Sequence, residues 1–232
     1  MTSIASNLQA VRERISRAAL ACGRHPDDIA LLAVSKTWPA PCVAEAAEAG
    51  QRAFGENYAQ EGADKVEALA GHALEWHFIG PLQSNKTRLV AGHFDWVHAV
   101  DRLKIAQRLS DQREADRPPL NLCLQVNVSG EASKSGVEPA QVAALAEAVQ
   151  DLPRLRLRGL MCIPEPTGDD ALLRRRFALL RTLKDDLVAR GLDLDTLSMG
   201  MSHDVEAAIA EGATLVRVGT AIFGARQRAA GP

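Results

Sequence analysis

Short apolar runs, separated by amphipathic helical segments, constrain this chain more than any other feature. Eight runs read as strands, at 29–35, 52–55, 75–79, 96–99, 120–128, 156–162, 196–199 and 214–219. The first lies in "IALLAVSKTWPA" and has little polar alternation, as expected of a strand buried on both faces. The segments between carry helix punctuation. Pro41 opens one with Val43, Ala46 and Ala47 that stops at Gly50, and Asp101 reads as the N-cap before Leu103, Ile105, Ala106 and Leu109. Pro139 precedes Val142, Leu145 and Val149, and Leu173, Phe177, Leu180, Leu183 and Leu187 share a face before Gly191. Proline in the first turn and glycine just past the end is the expected asymmetry.

Strands alternating with helices imply parallel pairing, because each crossover returns the chain to the same edge. Eight such units predict an α/β fold, a closed TIM-type (β/α)8 barrel at the small end of its size range. An open doubly wound sheet is the alternative. Ile4, Leu8, Val11, Ile15 and Ala19 form one stripe of helical period, so an extra helix over about 3–22 precedes a barrel over about 29–226. No linker, low-complexity segment or repeat divides the chain, and 1–232 reads as a single domain.

Composition narrows the function. A formal charge of -2 over 232 residues offers no general attraction for nucleic acid or membrane. The arginine clusters "RLRLRG" and "LLRRRF" read as solvated faces. No apolar run approaches the ~20 residues of a membrane helix. Cys22, Cys42, Cys123 and Cys162 form no CxxC pair or zinc spacing and read as reduced thiols of a cytosolic protein, with no metal site expected. The opening "MTSIASNLQAVRERISRAAL" is Arg-bearing and poor in acids, as a transit peptide can be, but its apolar stripe favours a structural helix.

A barrel places its chemistry at the C-terminal ends of the strands, often with phosphate held after strands seven and eight. Lys36 follows the first run, "SMGMSHD" the seventh and "VGTAIFGAR" the last. Gly200 and Ser202 lead into "HDVEAAIAEG", whose free N–H groups and Ser202 hydroxyl are expected to face the mouth, with Gly219 and Thr220 beside them. Ser202 as a plain helix cap is the alternative. Alternation in "TLVRVGT" puts Leu215, Arg217 and Gly219 on one face and the two valines on the other, so Arg217 points into the barrel. A phosphate-bearing aldehyde satisfies all three features. Its carbonyl would join Lys36 as a Schiff base, its phosphate would meet Ser202, Gly219 and Thr220, and a ring nitrogen would meet Arg217. Pyridoxal 5'-phosphate (PLP) fits.

"LLAVSKTWPA", "FGENYAQEGADK", "EWHFIGPLQSNK", "RGLMCIP", "LSMGMSHD" and "VRVGTAIFGAR", in this order, resemble the pyridoxal-phosphate homeostasis protein family, also called proline synthase co-transcribed homologues. The resemblance spans nearly the whole chain. It implies a fold type III PLP-binding barrel like the N-terminal domain of alanine racemase, with PLP on Lys36. By the same resemblance, Asn57 of "GEN" and His77 of "EWHFIG" lie near the Schiff base and ring, Ser202, Gly219 and Thr220 hold the phosphate, and Arg217 approaches the pyridine nitrogen. His203 departs from the pattern, where a small or acidic residue is expected. It adds a cation near the phosphate or faces solvent.

The resemblance implies PLP homeostasis without catalysis: no residue receives a catalytic role, and PLP-dependent apoenzymes are the expected recipients. An arginine beside the pyridine nitrogen disfavours its protonation and weakens the electron sink. Racemases of related fold add a β-domain and a second base. This chain stops at Pro232 and has one tyrosine, Tyr58, so neither is expected, and a monomer is. The rival readings are a weak racemase-like enzyme, a cofactor-free Schiff-base aldolase, and a phosphate-binding barrel in which Lys36 forms no imine. Lys134 in "SGEASKSG" is a second candidate lysine.

Overall fold

A computed structural model describes residues 3–131 and 135–225. Lys134 therefore lies outside the described residues, as does the expected barrel end at 226. Among the described residues eight parallel strands close in sequence order, β1 (Ala30–Val34), β2 (Ala53–Glu56), β3 (Glu75–Phe78), β4 (Trp96–Val100), β5 (Leu120–Gln125), β6 (Leu155–Met161), β7 (Thr196–Ser198) and β8 (Leu215–Val218). Each expected run overlaps one strand, with ends within three residues. The barrel shuts where β8 pairs with β1, with Leu32 opposite Arg217 and Ala33 opposite Val218.

Helices α1 (Ile4–Ala21), α2 (Ala40–Glu48), α3 (Ala59–Ala68), α4 (Thr87–His93), α5 (Leu103–Gln112), α6 (Val142–Gln150), α7 (Asp170–Ala189), α8 (Val205–Ala210) and α9 (Thr220–Phe223) make the outer layer. The stripe read on α1 is buried at Leu8, Val11, Ile15 and Ala19, and the helix packs on α2, α8 and α9. Ser3 caps it, its Oγ accepting from Ser6 N at 3.1 Å. The main core lies between strands and helices and includes Val216 and Val218 of β8. Leu32, Ile79 and Leu215 pack in a separate cluster inside the barrel, as the alternation of β8 requires.

Three local expectations are corrected. The fifth strand ends at Gln125 rather than 128, because Asn127 Oδ1 accepts from Gly130 N at 3.1 Å and turns the chain. Only an isolated Val126–Val137 bridge continues it. Asp101 does not cap α5: Arg102 occupies the N-cap, and Asp101 spends its carboxylate on the Arg102 guanidinium at 2.9 Å. The helix after β7 begins at Val205 rather than His203, so Ser202 sits in a turn before it, and the alternative that Ser202 caps the helix also fails. Among the described residues no helix is long and apolar enough to cross a membrane.

Candidate functional site

A cavity of about 220 Å³ opens among the C-terminal ends of β1, β2, β3, β6, β7 and β8 and the segments that follow them. That is below the roughly 300–1,000 Å³ of sites for drug-sized molecules, so the ligand it suits is small. Lys36, Asn57, Ser202, Arg217, Gly219 and Thr220 all line it, and His203 joins them from an exposed position. Six of the seven residues read from the sequence therefore meet in one place. His77 does not. Two residues on, just past the end of β3, Ile79 takes the place at the mouth, and His77 is buried one layer deeper.

The Lys36 end is held by a charged cluster that the sequence reading missed. Lys65 Nζ, buried on α3, donates to Ser35 O at 2.8 Å, to Glu56 Oε1 at 2.7 Å and to Glu61 Oε1 at 2.7 Å. Ser35 Oγ donates to Glu56 Oε1 at 2.6 Å, and Thr37 N donates to Glu61. Both chain neighbours of Lys36 are thus tied to one network. Thr37 adopts φ 68, a left-handed conformation that costs a β-branched residue energy and persists where the surroundings over-determine it. Burial pushes the Glu56 carboxyl above its usual range, against the opposing pull of Lys65. The available signals were the Glu61–Lys65 spacing of four and a glutamate at the tip of a buried strand.

Arg217 is buried on β8 and donates to Ser198 O at 2.6 Å, Ser198 Oγ at 2.8 Å and Cys162 O at 2.8 Å. No carboxylate among the described residues forms an ion pair with it, and burial lowers its pKa. Behind Ser198 the interior continues in polar contacts. Ser198 Oγ lies 2.8 Å from His98 Nδ1, His98 Nε2 lies 2.9 Å from His77 Nδ1, and His77 Nε2 lies 2.7 Å from Glu75 Oε1.

On the opposite side of the mouth, Arg14 of α1 donates to Ser202 O at 2.7 Å, fixing that turn from outside. Gly219 is the N-cap of the short α9, and a Cβ there would stand 3.0 Å from Val34 O, so glycine lets the ends of β8 and β1 pass closely. A Cβ at Gly80 would stand 2.2 Å from Asn57 O, so glycine again admits the Asn57 loop. Asn57 Oδ1 is buried with no hydrogen-bond partner, an acceptor left for something in the cavity.

A closed parallel barrel with an amine, a guanidinium and hydroxyls at one mouth defines the class of small-ligand-binding (β/α)8 barrels. The chain belongs to the family of the alanine racemase N-terminal domain, whose pattern matches residues 6–227. It is 65% identical over 226 residues to the pyridoxal phosphate homeostasis protein of Pseudomonas aeruginosa, covering 97% of each chain. The protein of that name from Escherichia coli is 59% identical over 232 residues, with 97% and 98% covered. The structure of PipY from Synechococcus elongatus with PLP bound superimposes with a TM-score of 0.84 at 40% identity, over 96% of this chain and all of that one.

Proposed function

We propose that the chain binds PLP for vitamin B6 homeostasis, holding it through a Schiff base to Lys36. The observation that carries this is the meeting of Lys36, from the exit of β1, with Arg217 of neighbouring β8 in one small cavity. The donor set fits the cofactor. An amine suits an aldehyde, the hydroxyls of Ser202 and Thr220 with the Gly219 backbone suit a phosphate, and the unpartnered Asn57 Oδ1 suits the ring hydroxyl. The relatives named for PLP homeostasis, and PipY with PLP bound, support the same reading.

Bound PLP supplies an aldehyde for the covalent link and a ring that can draw off electrons. The chain's residues then hold rather than react. Lys36 is half-buried at the mouth, where its amine can add to an aldehyde and lose water to give the Schiff base. Arg217 can only donate, so a ring nitrogen facing it must accept and stay unprotonated. The relatives are named for homeostasis rather than for a reaction, which supports a non-catalytic carrier over a racemase. Delivery to PLP-dependent apoenzymes, a monomeric state and a cytosolic home belong to the same proposal.

Borohydride reduction of the PLP-loaded protein, followed by peptide mapping, tests it. A single adduct on Lys36, lost in Lys36→Ala, is expected. An adduct that survives the substitution places the link on another lysine, Lys134 among them, and absence of any adduct overturns the proposal. Enantiomer exchange of amino acids at the ordinary enzymatic rate of ~1–1,000 per second would overturn the non-catalytic part.

A further inference from the structure

A chain of hydrogen bonds crosses the barrel interior from the cavity to the opposite face. It runs from Arg217 through Ser198, His98 and His77 to Glu75. Glu75 opens β3, at the N-terminal end of the barrel, and its side chain is 51% exposed. Ser198, His98 and His77 are at most 1% exposed. The flanks are apolar, with Leu32, Ile79 and Leu215 in one cluster and Trp96, Ala99, Cys123 and Met161 in another. Such a position in a barrel is ordinarily filled by branched apolar side chains.

If each histidine carries a single N–H, one direction satisfies every bond. The His77 hydrogen bond holds the Glu75 carboxyl below the usual range, so it is an acceptor, and His77 must offer Nε2–H. Burial, with His77 and Arg217 nearby, pushes His98 well below the usual imidazole range, so His98 has one N–H. With His77 Nδ1 accepting, that hydrogen lies on His98 Nε2. His98 Nδ1 then accepts from Ser198 Oγ–H, and Ser198 Oγ accepts from Arg217. All donors point from Arg217 towards Glu75. The reversed chain needs a second proton on His77 and leaves the Ser198 hydrogen without its histidine. Arg217 already has two carbonyl acceptors, so its burial alone does not require the two histidines.

Other charged and titratable groups face the chain. Arg158 of β6 lies with its guanidinium 4.7 Å from the Trp96 ring centre, beside Glu75, and pairs with Asp195. Asp204 acts on Arg217 from the turn after β7. Cys123 and Cys162 have thiols pushed up to about 12 by burial and stay neutral.

We propose that Ser198, His98, His77 and Glu75 form a proton-linked positioning relay for Arg217, through which the exposed carboxylate at one end of the barrel sets the field felt by a ligand ring at the other. This rests on the reading that PLP fills the cavity with its ring nitrogen towards Arg217.

The test is a double-mutant cycle on the PLP-loaded protein, read as the pH midpoint of the bound chromophore's visible absorbance. Glu75→Gln removes a negative charge that favours protons along the chain, so the midpoint should fall by on the order of half a pH unit. In a Ser198→Ala background the chain is cut, and the same substitution should no longer move it. An equal shift in both backgrounds means a through-space field and overturns the relay, as does no shift in either. Nitrogen NMR of the histidine rings in the cofactor-free protein supplies a second readout, independent of PLP. It should show Nε2–H tautomers for His77 and His98 at neutral pH, and an Nδ1–H form of His98 overturns the proton assignment. A wild-type protein without chromophore or adduct sinks the PLP reading, while the tautomer result still judges the relay.

Discussion

Two buried cations flank the cavity, and they are held in opposite ways. Lys65 contacts two carboxyl oxygens, one from Glu56 and one from Glu61, so its charge is answered within the protein. Arg217 rests on two carbonyls and a hydroxyl, so its hydrogen bonds are met while its net charge is not. The first arrangement is that of a clamp: it ties Ser35 and Thr37 in place on either side of Lys36. The second leaves positive potential at the cavity wall, where a ligand's lone pair or anion can use it. Burial is equal; what differs is whether the partner is built in or awaited.

That contrast can be broken at either end. The largest effect is expected for Lys65→Met, which strands Glu56 in the interior and should cost about 3–5 kcal/mol in chemical denaturation. Pairing it with Glu56→Leu should recover most of that loss, and a neutral Lys65→Met would show that the clamp holds nothing. Arg217→Met comes next. It leaves carbonyl acceptors unmet at about 1–3 kcal/mol, while PLP affinity by fluorescence titration should drop about tenfold or more. Undiminished affinity would mean that the charge is not offered to the ligand.

The smallest effect concerns pH. The Glu75 carboxyl is held below its unfolded value by His77, so its contribution is present above that value and lost as pH falls through the folded one. Glu56 runs the other way: burial raises it, so its contribution is present at low pH and lost as pH rises through the folded value. Glu75→Gln should therefore flatten the acid limb of the stability curve as pH falls below the ordinary glutamate range. An unchanged limb there would remove Glu75 from the account of acid stability.

The barrel was legible because its signals are local. Each strand is an apolar run bounded by helix punctuation, and the alternation in "TLVRVGT" alone aimed Arg217 inward. Depth was not legible. "EWHFIG" does not reveal that His77 stands one layer below Ile79, because the stagger of strands around a closed sheet is set by partners far along the chain. Lys65 was missed for a related reason. In "GADKVEALA" it reads as an exposed helix lysine, and only the return of α3 onto the end of β1 buries it. The helix after β7 was read as starting at His203, whereas Asp204 takes the N-cap position and the short α8 leaves Ser202 outside.

The seam between β1 and β8 has a consequence for biogenesis. Lys36 comes from the first strand to leave the ribosome, and Arg217, Gly219 and Thr220 come from the last. A nascent chain can complete seven of its strands and still lack half of the binding wall. If this cavity holds PLP as proposed, capture waits until β8 has been made, and a product cut before β8 is expected not to retain the coenzyme.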